Sequence, residues 1–244
     1  DFGGATLGSN YSDLAGGAAF VLEQGYVGFD IGKAQFAIGR YNAPIGIYSV
    51  DRINNVTISY SLPYLLVPTN VTGVSVSYPF TDNFTAAAWV INNAADTVST
   101  TTGGGLGGAV PTGGARVAYS WGEEDKRSTL GLTGIVGGQL NGKMKHLTYI
   151  GDLDLNWHIT DSFLLQLDLV YRQDNVAAAG SKNNKVYAGN LNLDYSINDQ
   201  WDIYAAYNYL HDWEGQAAGG AGGFYTGADQ QIHAGTVGVG YNIA

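Results

Sequence analysis

The chain has 244 residues, with 36 glycines, 17 tyrosines, 5 prolines and no cysteine, and a formal net charge of −10 at pH 7. Disulfides and thiolate metal sites are therefore excluded, and the acidic balance opposes nucleic-acid binding, which needs a basic surface. No apolar run approaches the ~20 residues of a membrane helix, whereas abundant Gly and Tyr with little charge suit strands that cross a membrane.

Residues 1–18 are rich in Gly, Ser, Asn and Ala and read as a loop, or as the remnant of a strand ahead of this sequence; the abrupt start at Asp1 reads as a mature or incomplete chain. Ala19 to Asp30 reads as a strand of ambiguous parity, because Val21, Val27 and Phe29 compete with Phe20, Leu22 and Tyr26. The turn Asp30-Ile31-Gly32-Lys33 leads into a partner strand, Ala34 to Tyr41, with Phe36 and Ile38 opposite Gln35, Ala37 and Gly39.

Asn42 to Asn70 breaks the pattern. It holds Pro44, Pro63 and Pro68, the basic Arg52, and an apolar patch running from Leu62 through Tyr64 and Leu65 to Val67. A connection this long is usually functional or disordered. Two readings stay open: an external loop covering a barrel mouth, or a loop folded into the lumen as a constriction built on Arg52, Leu62, Tyr64 and Leu65.

From Thr72 onward the chain alternates with period two, the signature of strands with one apolar and one polar face. Thr72 to Phe80 puts Val74, Val76, Tyr78 and Phe80 outward and Ser75 and Ser77 inward, and Phe84 to Asn92 returns. Asn93 to Gly114 reads as a Gly/Thr-rich loop. Ala115 to Trp121 carries Arg116 inward, and Thr129 to Gln139 follows a charged turn. Leu147 to Arg172 is the clearest hairpin: Leu153, Leu155, Trp157, Phe163, Leu165, Leu167 and Leu169 oppose Asp152, Asp154, Asn156, Gln166, Asp168 and Arg172. Tyr187 to Ser196, Trp201 to Tyr209 and Gln231 to Ile243 continue the alternation. Runs of roughly ten residues with an apolar and a polar face are the repeat unit of an outer-membrane barrel.

An internal repeat fixes the turns. Tyr78-Pro79-Phe80-Thr81-Asp82-Asn83-Phe84 matches Trp157-His158-Ile159-Thr160-Asp161-Ser162-Phe163 and Tyr195-Ser196-Ile197-Asn198-Asp199-Gln200-Trp201. The shared Asp is expected to cap each turn. The flanking aromatics Tyr78, Phe84, Trp121, Trp157, Phe163, Tyr195, Trp201 and Tyr241 are expected to form one interfacial girdle. A period of roughly forty residues also occurs in propellers, but a blade packs four short strands into that length, whereas each repeat here holds two long ones. The expectation is one domain over 1–244, an all-β antiparallel up-and-down barrel of about twelve strands, eleven of them visible and one rising strand preceding them.

The hairpin pattern, with Gly39-Arg40-Tyr41-Asn42-Ala43-Pro44-Ile45-Gly46 and Thr72-Gly73-Val74-Ser75-Val76-Ser77-Tyr78, resembles the bacterial OmpL-like porins of the beta-barrel porin 2 family. The resemblance covers roughly residues 20–243 and departs at the ends, where the usual first strand is missing and Ala244 stands in place of a terminal aromatic. It implies a channel for small solutes in a bacterial outer membrane. The partners that go with it are membrane lipid, lipopolysaccharide, small ions and solutes, with a homo-oligomer left open.

The inward parity carries the candidate pore-lining residues Arg116, Asp152, Asp154, Gln166, Asp168, Arg172, Asn190, Asn192, Asp194 and Asp202. A charge facing lipid at the midplane costs roughly 2–4 kcal/mol for Arg or Lys, so these groups face water or one another. Facing water, they make an acidic, weakly cation-preferring pore for ions and small polar solutes. Facing one another, they make a non-conducting structural barrel, plugged or sheathing another protein such as a cytochrome. Enzyme chemistry finds little support. His146, His158, His211 and His233 are scattered, and His211-Asp212 is half of a hydrolase site at best. There is no metal-ligand spacing or nucleotide fingerprint, so no cofactor is expected.

Overall fold

The computed structural model describes residues 24–48, 55–57, 60–91, 111–138, 147–175, 183–213 and 229–241. They form one antiparallel sheet of eleven strands in chain order. The strands are β1 (Gly25–Ile31), β2 (Ala34–Asn42), β3 (Asn70–Pro79), β4 (Phe84–Ile91), β5 (Thr112–Trp121), β6 (Ser128–Gly138), β7 (Leu147–Thr160), β8 (Phe163–Asp174), β9 (Asn184–Ser196), β10 (Trp201–Asp212) and β11 (Gln230–Tyr241). Each pairs with its sequence neighbour, and the β2–β3 connection reaches β7, β8, β9 and β10, so the sheet curls around an interior.

Alternation decides what faces that interior. Asp152, Asp154, Asp168, Asn190, Asn192 and Asn208 are buried, while Leu153, Leu169, Leu191 and Tyr207, next to them in sequence, are exposed. An exposed apolar outer face over a buried polar inner one is the inverse of a soluble protein and suits a strand between lipid and lumen. The five short connections alternate with five long ones, so all short turns lie at one end. Both β1 and β11 run from the long-loop end toward the short-turn end, and among the described residues no ladder joins them. The rising strand expected ahead of β1, and residues 19–23 of the first expected strand, lie outside the described residues.

Two local expectations are corrected. The turn cap is the residue before the Asp. Thr81 Oγ1 accepts the Asn83 and Phe84 amides at 3.3 and 3.0 Å, and Asn198 Oδ1 accepts those of Gln200 and Trp201 at 2.9 and 3.0 Å. Asp161 instead pairs with Lys126 of the neighbouring hairpin at 3.0 Å. We expect Asn198→Ala to cost about 1 kcal/mol, as loss of a comparable side-chain cap does, read from urea unfolding; Asp199→Ala should leave stability nearly unchanged. Second, β5 starts at Thr112, because Gly113 and Gly114 belong to the strand and not to the loop. The Trp89 indole lies across Gly114, where a Cβ would collide with it, so a residue read as loop composition is a packing requirement.

A lumen filled on one side by the β2–β3 connection

The inner face of β6 to β10 is layered. Toward the long-loop end lies an apolar layer of Ile135, Ile150, Val170, Val186, Ala188 and Leu210. Below it, Asp154, Asp168, Asn190, Asn192 and Asn208 form a polar layer, while Asp152 is level with Val170 and Arg172 with Ile150. Leu66, on the short 3-10 helix Pro63–Leu66, is 1% exposed and belongs to the same buried cluster as the apolar layer, with Leu62 and Val67 packed against it. Burying a side chain of this size stabilises the docked loop by about 1.5–3 kcal/mol.

Polar contacts fix the register of the docking. Arg172 Nη1 donates to the Leu66 carbonyl at 3.0 Å, and the Leu62 amide donates to Asn208 Oδ1 at 3.0 Å. The Gly46 amide donates to Asp152 Oδ2 at 3.1 Å. Gly46 has φ +70°, and a Cβ there would stand 3.3 Å from Asp168 Oδ2. Tyr48 sets its hydroxyl among Asn190, Asn192 and Thr57, accepting from Asn192 Nδ2 at 2.9 Å. A phenol hydroxyl is neutral at physiological pH and can both donate and accept here.

Leu62 packs against the inner-face cluster and Tyr64 lines a hollow beside the loop, while Arg52 lies outside the described residues. The candidate pore-lining residues separate into two groups. Asp152, Asp154, Asp168, Arg172, Asn190 and Asn192 face inward but are buried, and most bond to the loop or to one another. Arg172 forms an ion pair with Asp174 at 3.0 Å, and Asp174 accepts from Thr148 Oγ1 at 2.5 Å. Gln166 bridges Asn156 and Asn192 at 2.9 and 3.1 Å. Asp194 and Asp202 remain half-exposed nearer the short-turn end.

The electrostatic centre is Arg116 on β5. Its guanidinium crosses β6 to reach Asp154 on β7 with two bonds, Nη1 to Oδ2 at 2.5 Å and Nη2 to Oδ1 at 2.7 Å, and also donates to Thr133 Oγ1 at 3.0 Å. The crossing needs Gly131, since a Cβ there would overlap both the guanidinium and the Asp154 carboxylate. Asp152 lies 3.8 Å from the same guanidinium. Asp152 and Asp168 abut, and the Oδ1 atom of each is buried without a protein donor. Three carboxyl groups thus gather around one cation. Bidentate Arg–carboxylate pairs of this kind are among the strongest charge-assisted hydrogen bonds.

Among the described residues, hollows remain beside Arg116. Two cavities of about 310 and 350 Å³ share Asn42, Pro44 and Arg116; one opens on β2 to β5, the other on the loop.

His211 and Asp212 do not form half of a hydrolase site. His211 bonds to Tyr187 and Asp229 on the outer face, whereas Asp212 is buried on the inner one, as neighbouring strand residues must be. All eight aromatics named for the girdle stand on the outward parity at the short-turn end; Trp121 and Phe163 are half-buried and the other six exposed. The sequence reading missed a second outward aromatic band at the long-loop end, including Tyr149, Tyr171, Tyr187, Tyr209 and Trp213; their parity signals it.

The chain folds as an all-β transmembrane barrel with a lumen, the architecture of outer-membrane channels. A family model described as "Putative beta-barrel porin-2, OmpL-like" matches residues 3–244, and the chain belongs to that family. It is accordingly a bacterial outer-membrane β-barrel of the porin class. Among solved structures it is similar to OmpT of Vibrio cholerae at a TM-score of 0.56 and 15% identity, covering 91% of this chain and 66% of that one. A structure of the NanC porin matches at a TM-score of 0.37 and 14% identity, over 86% of this chain and 94% of that one. No curated protein matches the sequence.

Proposed function

We propose that the protein is a non-enzymatic, passive diffusion channel for ions and small polar solutes, weakly preferring cations, with its path along the β2–β5 wall. The observation that supports this reading is an uneven lumen: the β6–β10 side is packed against the loop, and Tyr41, Val71, Trp89 and Ile91 of β2–β4 join the same buried cluster, while one hollow stays open along β2–β5 and a second along the loop, the two meeting at Arg116. The cation preference rests on the half-exposed Asp194 and Asp202 and on the net charge of −10. The carboxylates near Arg116 contribute less, being buried and paired.

Single-channel recording under a salt gradient tests this. Discrete conductance with a cation-side reversal potential is expected. Asp194→Asn with Asp202→Asn should move the reversal potential toward zero, and Asp168→Asn should move it less. A silent bilayer containing verified inserted protein would refute the channel. The alternative, a barrel closed by its own loop, is supported by the direct Arg116–Asp154 and Arg172–Asp174 pairs and predicts that silence.

A further inference from the structure

We infer that the hollow between the loop and the β2–β5 wall is a binding site for an uncharged, polyhydroxylated solute of about monosaccharide size, an inference that rests on the channel reading and names its substrate class. Three features of the hollow lead there.

The first is an unmatched polar atom. Tyr41 lines the hollow and is 7% exposed, and its hydroxyl is buried without a protein hydrogen-bond partner of good geometry; Ser75 is its polar neighbour. Buried hydroxyls are normally satisfied, and this one, closed to water as it stands, gains a partner if the ring turns toward the hollow. The ring meets the exposed Tyr26 edge-to-face at 6.3 Å.

The second is the chemistry of the walls. Ser77 and Thr85 present hydroxyls from β3 and β4, next to Asn42, and the loop side presents the rings of Tyr48 and Tyr64. Tyr64 stacks on Tyr60 at 4.3 Å, which stiffens that aromatic wall. Hydroxyls and amides that both donate and accept can replace the water around a sugar's hydroxyls. Aromatic faces cover its C–H surface with little loss of side-chain freedom.

The third is charge. Among the described residues Arg116 is the one ionised side chain lining either hollow, and Asp154 already holds it with two bonds. Asp152 stands 3.8 Å behind it. An anion entering here competes with carboxylates already in place. A cation meets the guanidinium. A neutral solute meets neither penalty. The volumes, about 310 and 350 Å³, fall at the small end of ligand cavities.

The test uses the full chain refolded in detergent and titrated by calorimetry with D-glucose and, separately, with D-gluconate, which adds a carboxylate. The same solutes are added to planar-bilayer recordings. Saturable glucose binding is expected, with gluconate at least several-fold weaker. Tyr41→Phe should weaken glucose binding about 3- to 10-fold, the value of one hydrogen bond. Because that change removes an unsatisfied buried hydroxyl, the melting temperature should hold or rise, which separates lost affinity from lost fold. Ser77→Ala should weaken binding similarly, whereas Tyr204→Phe on β10, which lines neither hollow, should not. The site is refuted if glucose gives no saturable heat, if gluconate binds as tightly, or if both wall variants bind like the parent. A silent bilayer with saturable glucose heat would refute the channel and leave the site standing.

Discussion

Replacing Arg116 by methionine is expected to destabilise the barrel by about 3–5 kcal/mol, the cost of removing one partner of a buried ion pair. The size follows from what is left behind. Asp154 loses both of its guanidinium bonds, Asp152 loses its nearest cation, and Asp168 abuts Asp152 with no other basic group supplied by the described residues around it. Methionine follows only the stem of the arginine and offers no donor, so Asp154 and Asp152 remain buried without a cation, Asp152 keeping the Gly46 amide. Urea unfolding in lipid vesicles, followed by tryptophan fluorescence, measures the loss. Pairing Arg116→Met with Asp154→Leu should recover a large part of it, since removing both charges is far less costly than removing one. A loss below about 1 kcal/mol would mean that water reaches the pair and that this side of the lumen is open. Gly131→Val should reproduce much of the Arg116→Met effect with every charge still present, because it blocks the route across β6.

Leu66→Asp is expected to release the loop and raise single-channel conductance several-fold. A carboxylate at this position would sit in the layer formed by Val170, Val186 and Leu210 with no partner, beside an Arg172 already engaged with Asp174. The docked state loses the roughly 1.5–3 kcal/mol of Leu66 burial and gains the cost of a buried charge. The strands of the wall keep their ladders, so the barrel should persist while the loop leaves. Gly46→Val reaches the same end from the other side of the loop. It needs a left-handed φ that valine resists, and its side chain would press on Asp168. Bilayer recordings of both variants, with circular dichroism to verify the sheet, decide the matter. Unchanged conductance in folded, inserted variants would show that the loop does not restrict the path.

Much of the barrel was legible because a strand between lipid and water writes its two environments on alternate residues. The hairpin Leu147 to Arg172 gave its parity unambiguously, and its pairing, Asp154 opposite Asp168 and Leu155 opposite Leu167, is the one that parity demands. The short turns were legible from their repeat, although which residue accepts the amide bonds was not: Thr81 and the Asp beside it are equally plausible acceptors until the backbone path is known. The docking of the loop was half-visible. Ile150, Val170, Val186 and Leu210 interrupt the inward polar parity in two adjacent rows, and the Leu62–Val67 patch offers a matching apolar surface. Read together, those interruptions announce an internal partner; read strand by strand, they look like noise.

Fold class, strand parity, the alternation of short and long connections and the location in an outer membrane all follow from local alternation, because solvent on each face acts on each residue independently of distant ones. Which inward carboxylates stay wet, which are sealed and where the hollow lies depend on contacts between segments about 100 to 146 residues apart, such as Gly46 with Asp152 and Leu62 with Asn208. No local pattern encodes those distances. Arg116 could serve a solute as readily as an aspartate until the curl of the sheet brings β5 and β7 to either side of a glycine, and geometry then gives the guanidinium to Asp154.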